Sequence, residues 1–411
     1  MNRPYRRLFP IVAAALCFTA VSGVQGEAKK DVPGNLSAFD FRDIVRSSKE
    51  KVFPAVVFIK CLRQSHESGK RQSLEVGGSG VLISADGELL TNWHVVDKAT
   101  EVRCLLQDGR AFSGDVKGSD KDLDVALVKL RVSDKDKNLP YAEMGESADL
   151  IEGDFVMAMG APWGLTRSVS IGIVSCTRRY LDGNSEYSLW LQTDASICPG
   201  NSGGPLVNTQ GRIVGLNTLA TFFGGDMGFA VPSTTIKAIL SRLRQHGDIR
   251  WGWTGIDLQA IRDFNRNVYF NFTNGVMVAG TDQGSPARKA GVLERDRIVS
   301  INGDPVNGVT EEDLPAIRRR LALMPIGEKM KIEIARESST VKIDIVPVEK
   351  GKVEGDELDC PRWDLTVKAI NQFDNKELYF YKKEGVFIFG VKYPGNAGNA
   401  SLRQQDILVD I

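Results

Sequence analysis

The chain has 411 residues, a length that fits two to three domains. Its 52 basic and 52 acidic side chains cancel, which excludes global charge as a route to nucleic acid or an anionic membrane. At the N-terminus, Arg3, Arg6 and Arg7 precede the apolar run from Leu8 to Phe18, and small residues lead to Val24-Gln25-Gly26. This pattern predicts a signal peptide over residues 1–26 and a periplasmic or secreted product, with membrane contact only if the segment is retained. Cys17 follows bulky Leu16 and makes a poor lipidation site. No later apolar stretch is long enough to span a bilayer. Removing the signal leaves Cys61, Cys104, Cys176, Cys198 and Cys360. An odd number in an oxidising compartment predicts at least one free or intermolecular thiol. Neither a C-x-x-C pair nor a Cys/His spacing points to zinc, and no metal or organic cofactor is expected.

A polar stretch, residues 31–38, leads to Phe39-Asp40-Phe41, and residues 27–50 form an N-terminal segment. From 52 to 232, short β-branched runs alternate with Gly, Asp and Asn turns and show little helical periodicity, which predicts an all-β unit. Within it, Cys198-Pro199-Gly200-Asn201-Ser202-Gly203-Gly204-Pro205 places a serine in a glycine-rich turn between apolar segments. A nucleophile needs such a turn, because its hydroxyl must be exposed while backbone N–H groups meet the developing oxyanion. Glycine at 200 allows conformations that a side chain would block, so the Gly200 and Ser202 amides become candidate donors. Alone, the motif also fits a hairpin with a solvated serine.

Only three histidines exist. His66 lies in a polar loop and His246 ends a basic helical pattern, and both read as solvated. His94 closes an apolar strand-like run and is the candidate base. An acid should orient its imidazole. Asp124 fits because it leads into the buried run Val125–Leu130, although spacing alone does not exclude Asp120 or Asp122. The order His94, Asp124, Ser202 is that of the chymotrypsin-like double β-barrel and opposes an α/β-hydrolase, whose histidine comes last.

Thr91-Asn92-Trp93-His94-Val95-Val96, Asp124-Val125-Ala126-Leu127 and Gly200-Asn201-Ser202-Gly203-Gly204-Pro205-Leu206 resemble the three catalytic motifs of the HtrA/Deg serine proteases. Gly77 to Ile83, Gly160 to Leu165 and Gly228 to Pro232 resemble further segments of that family, in its order. The resemblance implies His94 as general base, Asp124 as its orienter and Ser202 as nucleophile, with Gly200 and Ser202 amides as oxyanion donors. Met227-Gly228-Phe229-Ala230 matches the wall of the specificity pocket, and Ser196 stands where trypsins carry an acid. A small or medium apolar P1 side chain is therefore expected. Arg179 resembles the loop arginine that relays activation from the PDZ side. Cys198 departs from the family, which usually has Asn there. The insertion from Leu62 to Val76 is short, which weakens any expectation of large cages but not of a homotrimer, the assembly the resemblance implies.

The protease unit is expected over 51–246, closed by an amphipathic helix over 232–245, with Gly247-Asp248 as linker. In 250–350, Trp253-Thr254-Gly255-Ile256 resembles the carboxylate-binding loop of an α+β PDZ domain, where a peptide C-terminus meets successive N–H groups and adds a strand. Arg295 stands where the family has Gly before Asp296. A second copy starts near 361: Gly385-Val386-Phe387-Ile388 and Asp406 to Ile411 repeat the order of Gly275-Val276-Met277-Val278 and Asp296 to Ile301. Residues 361–411 read as an incomplete second PDZ domain, expected to be weakly stable because its strand edges are exposed. Together these features predict an exported endopeptidase for unfolded or misfolded polypeptides, with C-terminal peptides bound at the PDZ domain. The alternative is a PDZ-bearing chaperone or stress sensor with little proteolysis.

Overall fold

The structure, a computed structural model, describes residues 40–162, 167–221, 227–263 and 266–409. The predicted signal segment, Phe39 and Trp163 to Leu165 lie outside them. After helix α1 (Phe41–Val52), six short runs become β1 (Val56–Ser65), β2 (Gln72–Leu82), β3 (Glu88–Thr91), β4 (Ala99–Leu105), β5 (Ala111–Asp120) and β6 (Val125–Leu130). They close a barrel in the order β1-β2-β3-β6-β5-β4. A one-turn helix, α2 (Trp93–Val96), follows β3. The second barrel runs β10-β11-β12-β9-β8-β7. Its strands are β7 (Phe155–Gly160), β8 (Ser168–Arg179), β9 (Trp190–Thr193), β10 (Pro205–Asn208), β11 (Ile213–Thr221) and β12 (Met227–Pro232). The predicted double barrel is present.

Helix α3 (Ser233–His246) lies within a residue of its predicted start and end. It buries Ile236, Ile239, Leu240 and Leu243 on one face and packs against β5, β6, β11 and β12. That spacing repeats the helical period, so one stripe of side chains leaves water and holds the two barrels together. Gly247 ends the helix in the left-handed region, its N–H returning to Leu243 O at 3.2 Å.

The next unit is a sheet ordered β14-β17-β18-β20-β21. In chain order the unit has β13 (Gly252–Trp253), β14 (Ile256–Gln259), the small hairpin β15 (Arg262–Asp263) and β16 (Val268–Tyr269), and β17 (Val276–Thr281). Helix α4 (Pro286–Ala290), β18 (Arg297–Ile301), β19 (Asp304–Pro305), helix α5 (Leu314–Ala322), β20 (Met330–Arg336), β21 (Ser339–Ile345) and β22 (Val348–Glu349) complete it. Val276, Ile298, Ile301, Leu314, Leu321, Ile332 and Ile334 form its core. The turn before Asp296 keeps a left-handed residue even without Gly, since Arg295 adopts φ +70°. Strand β13 pairs with β22, so the chain entering this unit is hydrogen-bonded to the chain leaving it.

A fourth sheet, β23 (Glu357–Cys360), β24 (Leu365–Ala369), β25 (Val386–Val391) and β26 (Ile407–Leu408), carries helices α6 (Lys376–Tyr381) and α7 (Asn396–Asn399). It begins at Glu357, four residues before the predicted boundary. Leu365, Val367, Ile388 and Ala397 are its buried core. The sheet rests on the β1–β2 hairpin: Thr366 Oγ1 donates to His66 O, and Gly69 abuts the Val391–Lys392 backbone. His66 is therefore not a solvated loop residue. Its Nδ1 lies 3.0 Å from Glu357 Oε2, because the hairpin tip is covered by β-structure nearly 300 residues further along the chain.

Candidate active site

Each predicted catalytic residue sits in a connection between two strands of its barrel: His94 between β3 and β4, Asp124 between β5 and β6, and Ser202 between β9 and β10. Thr91 Oγ1 donates to Ser79 O at 2.7 Å and ends β3, so His94 is carried by the single turn of α2. Asp124 enters β6 at φ +52°, a left-handed conformation that Asp tolerates better than most residues. His94 Nδ1 lies 3.0 and 2.9 Å from the two oxygens of Asp124, and the His94 backbone N–H donates to Oδ1 at 3.0 Å. A carboxylate only accepts, so Nδ1 carries the proton and Nε2 is left with a free lone pair. The neighbouring carboxylates are excluded as partners by where they bond. Asp120 accepts from the Leu123 N–H at 2.8 Å and from Trp251 Nε1 at 2.7 Å, while Asp122 accepts from Lys350 Nζ at 2.6 Å.

Ser202 lies in the turn before β10, half-buried, and its hydroxyl donates to Thr218 O at 3.1 Å. Gly200 adopts a backbone that a side chain would disfavour, at φ +98°. Among the described residues, the Gly200 and Ser202 N–H groups have no protein acceptor. Two further residues hold this geometry, and the sequence reading assigned neither a role. Ser79, fully buried on β2, donates through Oγ to Gly200 O at 2.6 Å and through its N–H to Ser202 O at 2.8 Å. Its Oγ also accepts from Ala161 N–H at 2.8 Å. One hydroxyl thus ties the serine turn of the second barrel to the first. Thr218 Oγ1 donates to Asp124 Oδ2, fixing the carboxylate that faces His94. The signal that could have found Thr218 is the polar pair Asn217-Thr218, buried within an otherwise apolar strand.

The predicted pocket wall is β12, with Met227 half-buried and Gly228, Phe229 and Ala230 buried. Ile197 fills the space over Gly228, where an added Cβ would come within 2.8 Å of Ile197 Cδ1. Ser196 is exposed, and its carbonyl accepts from Ser170 Oγ at 2.6 Å. Cys198 is an exposed free thiol, and Cys61, Cys104, Cys176 and Cys360 are also unpaired. Burial pushes the Cys61 thiol up to about 12, so it behaves as a small apolar side chain.

Arg179 ends β8 and donates through Nε to Gln192 Oε1 of β9 at 2.7 Å, and adjacent Arg178 lies 3.8 Å from Asp313 of the PDZ unit. In the predicted carboxylate loop, Trp253 belongs to β13 and Ile256 begins β14, which ends its sheet with one edge unpaired. Thr254 is buried and its carbonyl accepts from Ala287 N–H at 3.0 Å. Gly255 sits at φ +71°, where a Cβ would lie 2.2 Å from Ser285 Cβ.

Burial, with the Asp122 charge beside it, pushes the Asp120 carboxyl up to about 7, and the Trp251 and Leu123 donors only partly oppose this. A folded value raised above the ordinary one favours the protonated fold at low pH, so stability is lost as pH rises from about 4 to about 7. Tm should fall by several degrees across that window, and Asp120→Asn should flatten the profile. Differential scanning calorimetry from pH 4 to 8 checks this, and a slope unchanged in the variant would contradict it.

Two closed β-barrels that carry His94, Asp124 and Ser202, followed by a PDZ sheet, define a trypsin-like serine protease with a peptide-binding module. Comparison with known proteins agrees. Residues 78–216 match the trypsin-like peptidase domain and residues 277–336 the PDZ domain. The chain is 30% identical over 384 residues to the periplasmic serine endoprotease DegP of Escherichia coli, covering 92% of this chain and 77% of that protein. It is 35% identical to a probable periplasmic DegP-like endoprotease of Pseudomonas putida, over 84% of this chain and 72% of the relative. A similarly named relative from Chlamydia trachomatis is 35% identical over 297 residues, and there the chain spans 58% of the relative's length. Among solved structures, the HtrA-type protease AlgW with tripeptide superposes with a TM-score of 0.65 at 30% identity, covering 75% of this chain and 97% of that one. The chain belongs to the HtrA/DegP-type serine endoprotease family.

Proposed function

We propose that this protein is an exported endopeptidase that cleaves unfolded or damaged polypeptides through a Ser202 acyl-enzyme. The observation that carries the reading is the His94 imidazole held through Nδ1 by both oxygens of Asp124, with Thr218 bonded to Asp124 through its hydroxyl and to the Ser202 hydroxyl through its carbonyl. For attack, Ser202 exchanges its bond to Thr218 O for one to Nε2. His94 then takes the hydroxyl proton as Oγ adds to the scissile carbonyl. The carbonyl oxygen becomes an oxyanion, which the Gly200 and Ser202 N–H groups receive. Collapse returns the proton to the leaving amine, and water, activated by the same imidazole, releases the acid and regenerates Ser202. Asp124 holds the tautomer and the imidazolium charge throughout. Ile197 over Gly228 supports a shallow pocket for small or medium apolar P1 side chains.

The N-terminal signal pattern and the periplasmic names of the relatives support export. An exposed apolar surface around Phe41 and Phe155, whose rings stand 4.9 Å apart, supports assembly of a homotrimer through the protease units, and sedimentation equilibrium at the monomer mass would refute it. The Trp253–Ile256 loop beside the free edge of β14 supports capture of a peptide C-terminus. Because Gly255 cannot gain a Cβ without colliding with Ser285, Gly255→Ala should weaken binding of an apolar C-terminal peptide at least tenfold, to order of magnitude. Fluorescence anisotropy with a labelled peptide measures this, and equal affinity would remove the loop from the binding site.

The decisive assay incubates the mature protein with denatured casein and, separately, with a folded protein of similar size. Cleavage of the first, sparing of the second and stoichiometric labelling by a serine-directed phosphonate are expected. Binding of casein without cleavage or labelling would replace the protease by the chaperone or sensor. The second reading has one observation in its favour, the Ser202 hydroxyl bonded to Thr218 O, which is a resting orientation.

A further inference from the structure

The end of β5 and the four-residue loop that delivers Asp124 are held by chain that lies beyond both barrels. Asp120 accepts from the indole N–H of Trp251 at 2.7 Å, Lys121 Nζ bonds to Glu354 Oε1, and Asp122 accepts from Lys350 Nζ at 2.6 Å. Trp251 precedes the PDZ sheet and Lys350 follows it. Their backbones meet, Lys350 N–H to Trp251 O at 2.8 Å, in continuation of the β13–β22 pair. Both are well packed. Trp251 is 6% exposed and stacks on Tyr187 with ring centroids 4.1 Å apart. Lys350 Nζ lies 3.1 Å from Tyr187 Oη and 4.8 Å from the centre of its ring.

Inside the loop the consequences reach Asp124 directly. The Asp120 carboxylate that Trp251 grips also accepts the Leu123 N–H at 2.8 Å, and Asp124 N–H closes the turn onto Lys121 O at 3.1 Å. Asp124 leaves that turn in its left-handed conformation, at φ +52°. Tyr187 extends the contact to the peptide-binding unit, because its carbonyl accepts from Arg319 Nη1 of α5 at 3.2 Å.

We propose that Trp251 and Lys350 are positioning residues for the protease reaction, a clamp at the base of the PDZ domain that sets where Asp124 stands and so how well it orients His94. The inference rests on Asp124 being the orienting acid. The clamp holds the acid rather than the substrate, so its loss should appear in kcat and leave KM unchanged.

The test uses the full chain with a fluorogenic peptide and four variants: Trp251→Phe, Lys350→Gln, Lys350→Arg and Asp124→Asn. Trp251→Phe keeps a ring on Tyr187 and removes only the N–H donor. Trp251→Phe and Lys350→Gln should each lower kcat about tenfold at unchanged KM, and Lys350→Arg should recover most of the loss. In an Asp124→Asn background the same two substitutions should lower kcat by less than about twofold, because they act through the residue already altered. Unchanged kcat in the single variants, or an equal tenfold loss on top of Asp124→Asn, would overturn the clamp. Should Trp251→Phe fail to fold by calorimetry, the Lys350 pair decides by itself. An inactive wild type would instead mark failure of the protease reading.

Discussion

Ser202→Ala is expected to lower kcat on denatured casein by about six orders of magnitude and to abolish phosphonate labelling, with Tm unchanged. The size follows from the covalent step. Without Oγ no acyl-enzyme forms, and His94 has only water to activate in a site built to deprotonate a hydroxyl. What survives is binding and oxyanion stabilisation, because the Gly200 and Ser202 amides belong to the backbone and outlast the substitution. The fold should tolerate the change. Ser202 Oγ makes one hydrogen bond, to Thr218 O, while Ser79 grips the turn through the Ser202 and Gly200 carbonyls. Gel-based digestion beside the wild type measures the effect. Persistent labelling in the variant would move the nucleophile elsewhere.

Asp124→Asn should lower kcat by about four orders of magnitude with little change in KM. The carboxylate accepts from His94 Nδ1, the His94 backbone N–H and Thr218 Oγ1, and an amide cannot accept on its NH₂ side. With that group turned toward the imidazole, the proton moves to Nε2, and the nitrogen that should take the Ser202 proton becomes a donor. Steady-state kinetics and the second-order rate of phosphonate labelling should fall together, since both report nucleophile activation. A loss below tenfold would show that Asp124 does not orient the base.

The chemistry was legible in the sequence because its requirements are local. A serine nucleophile needs a glycine-rich turn, a histidine at the end of an apolar strand is conspicuous among three, and an acid before a buried run stands out by pattern. Chain order then selected the double barrel. Helix α3 was equally legible, as its apolar stripe follows the helical period. Less was legible where the determining contact is remote. Arg179 and Arg178 differ by one position, and only the fold brings Arg178 within 3.8 Å of Asp313. His66 looked solvated because its partner Glu357 lies far away in sequence.

By itself, then, the sequence determined the reaction class, the candidate base His94, the candidate nucleophile Ser202 and the two-barrel architecture with its PDZ sheet. Each of these is written in residue types at short spacing, where backbone conformation and side-chain chemistry act within a few bonds. Tertiary structure alone decided which of three neighbouring aspartates faces His94, which hydroxyls brace the site, and what holds the acid loop. Trp251 and Asp120 are 131 positions apart, and Lys350 and Asp122 are 228 apart. No local propensity encodes such pairs. They form because burial of the barrels and of the PDZ core brings their strands together, and the buried carboxylates must then take whatever donors that packing presents.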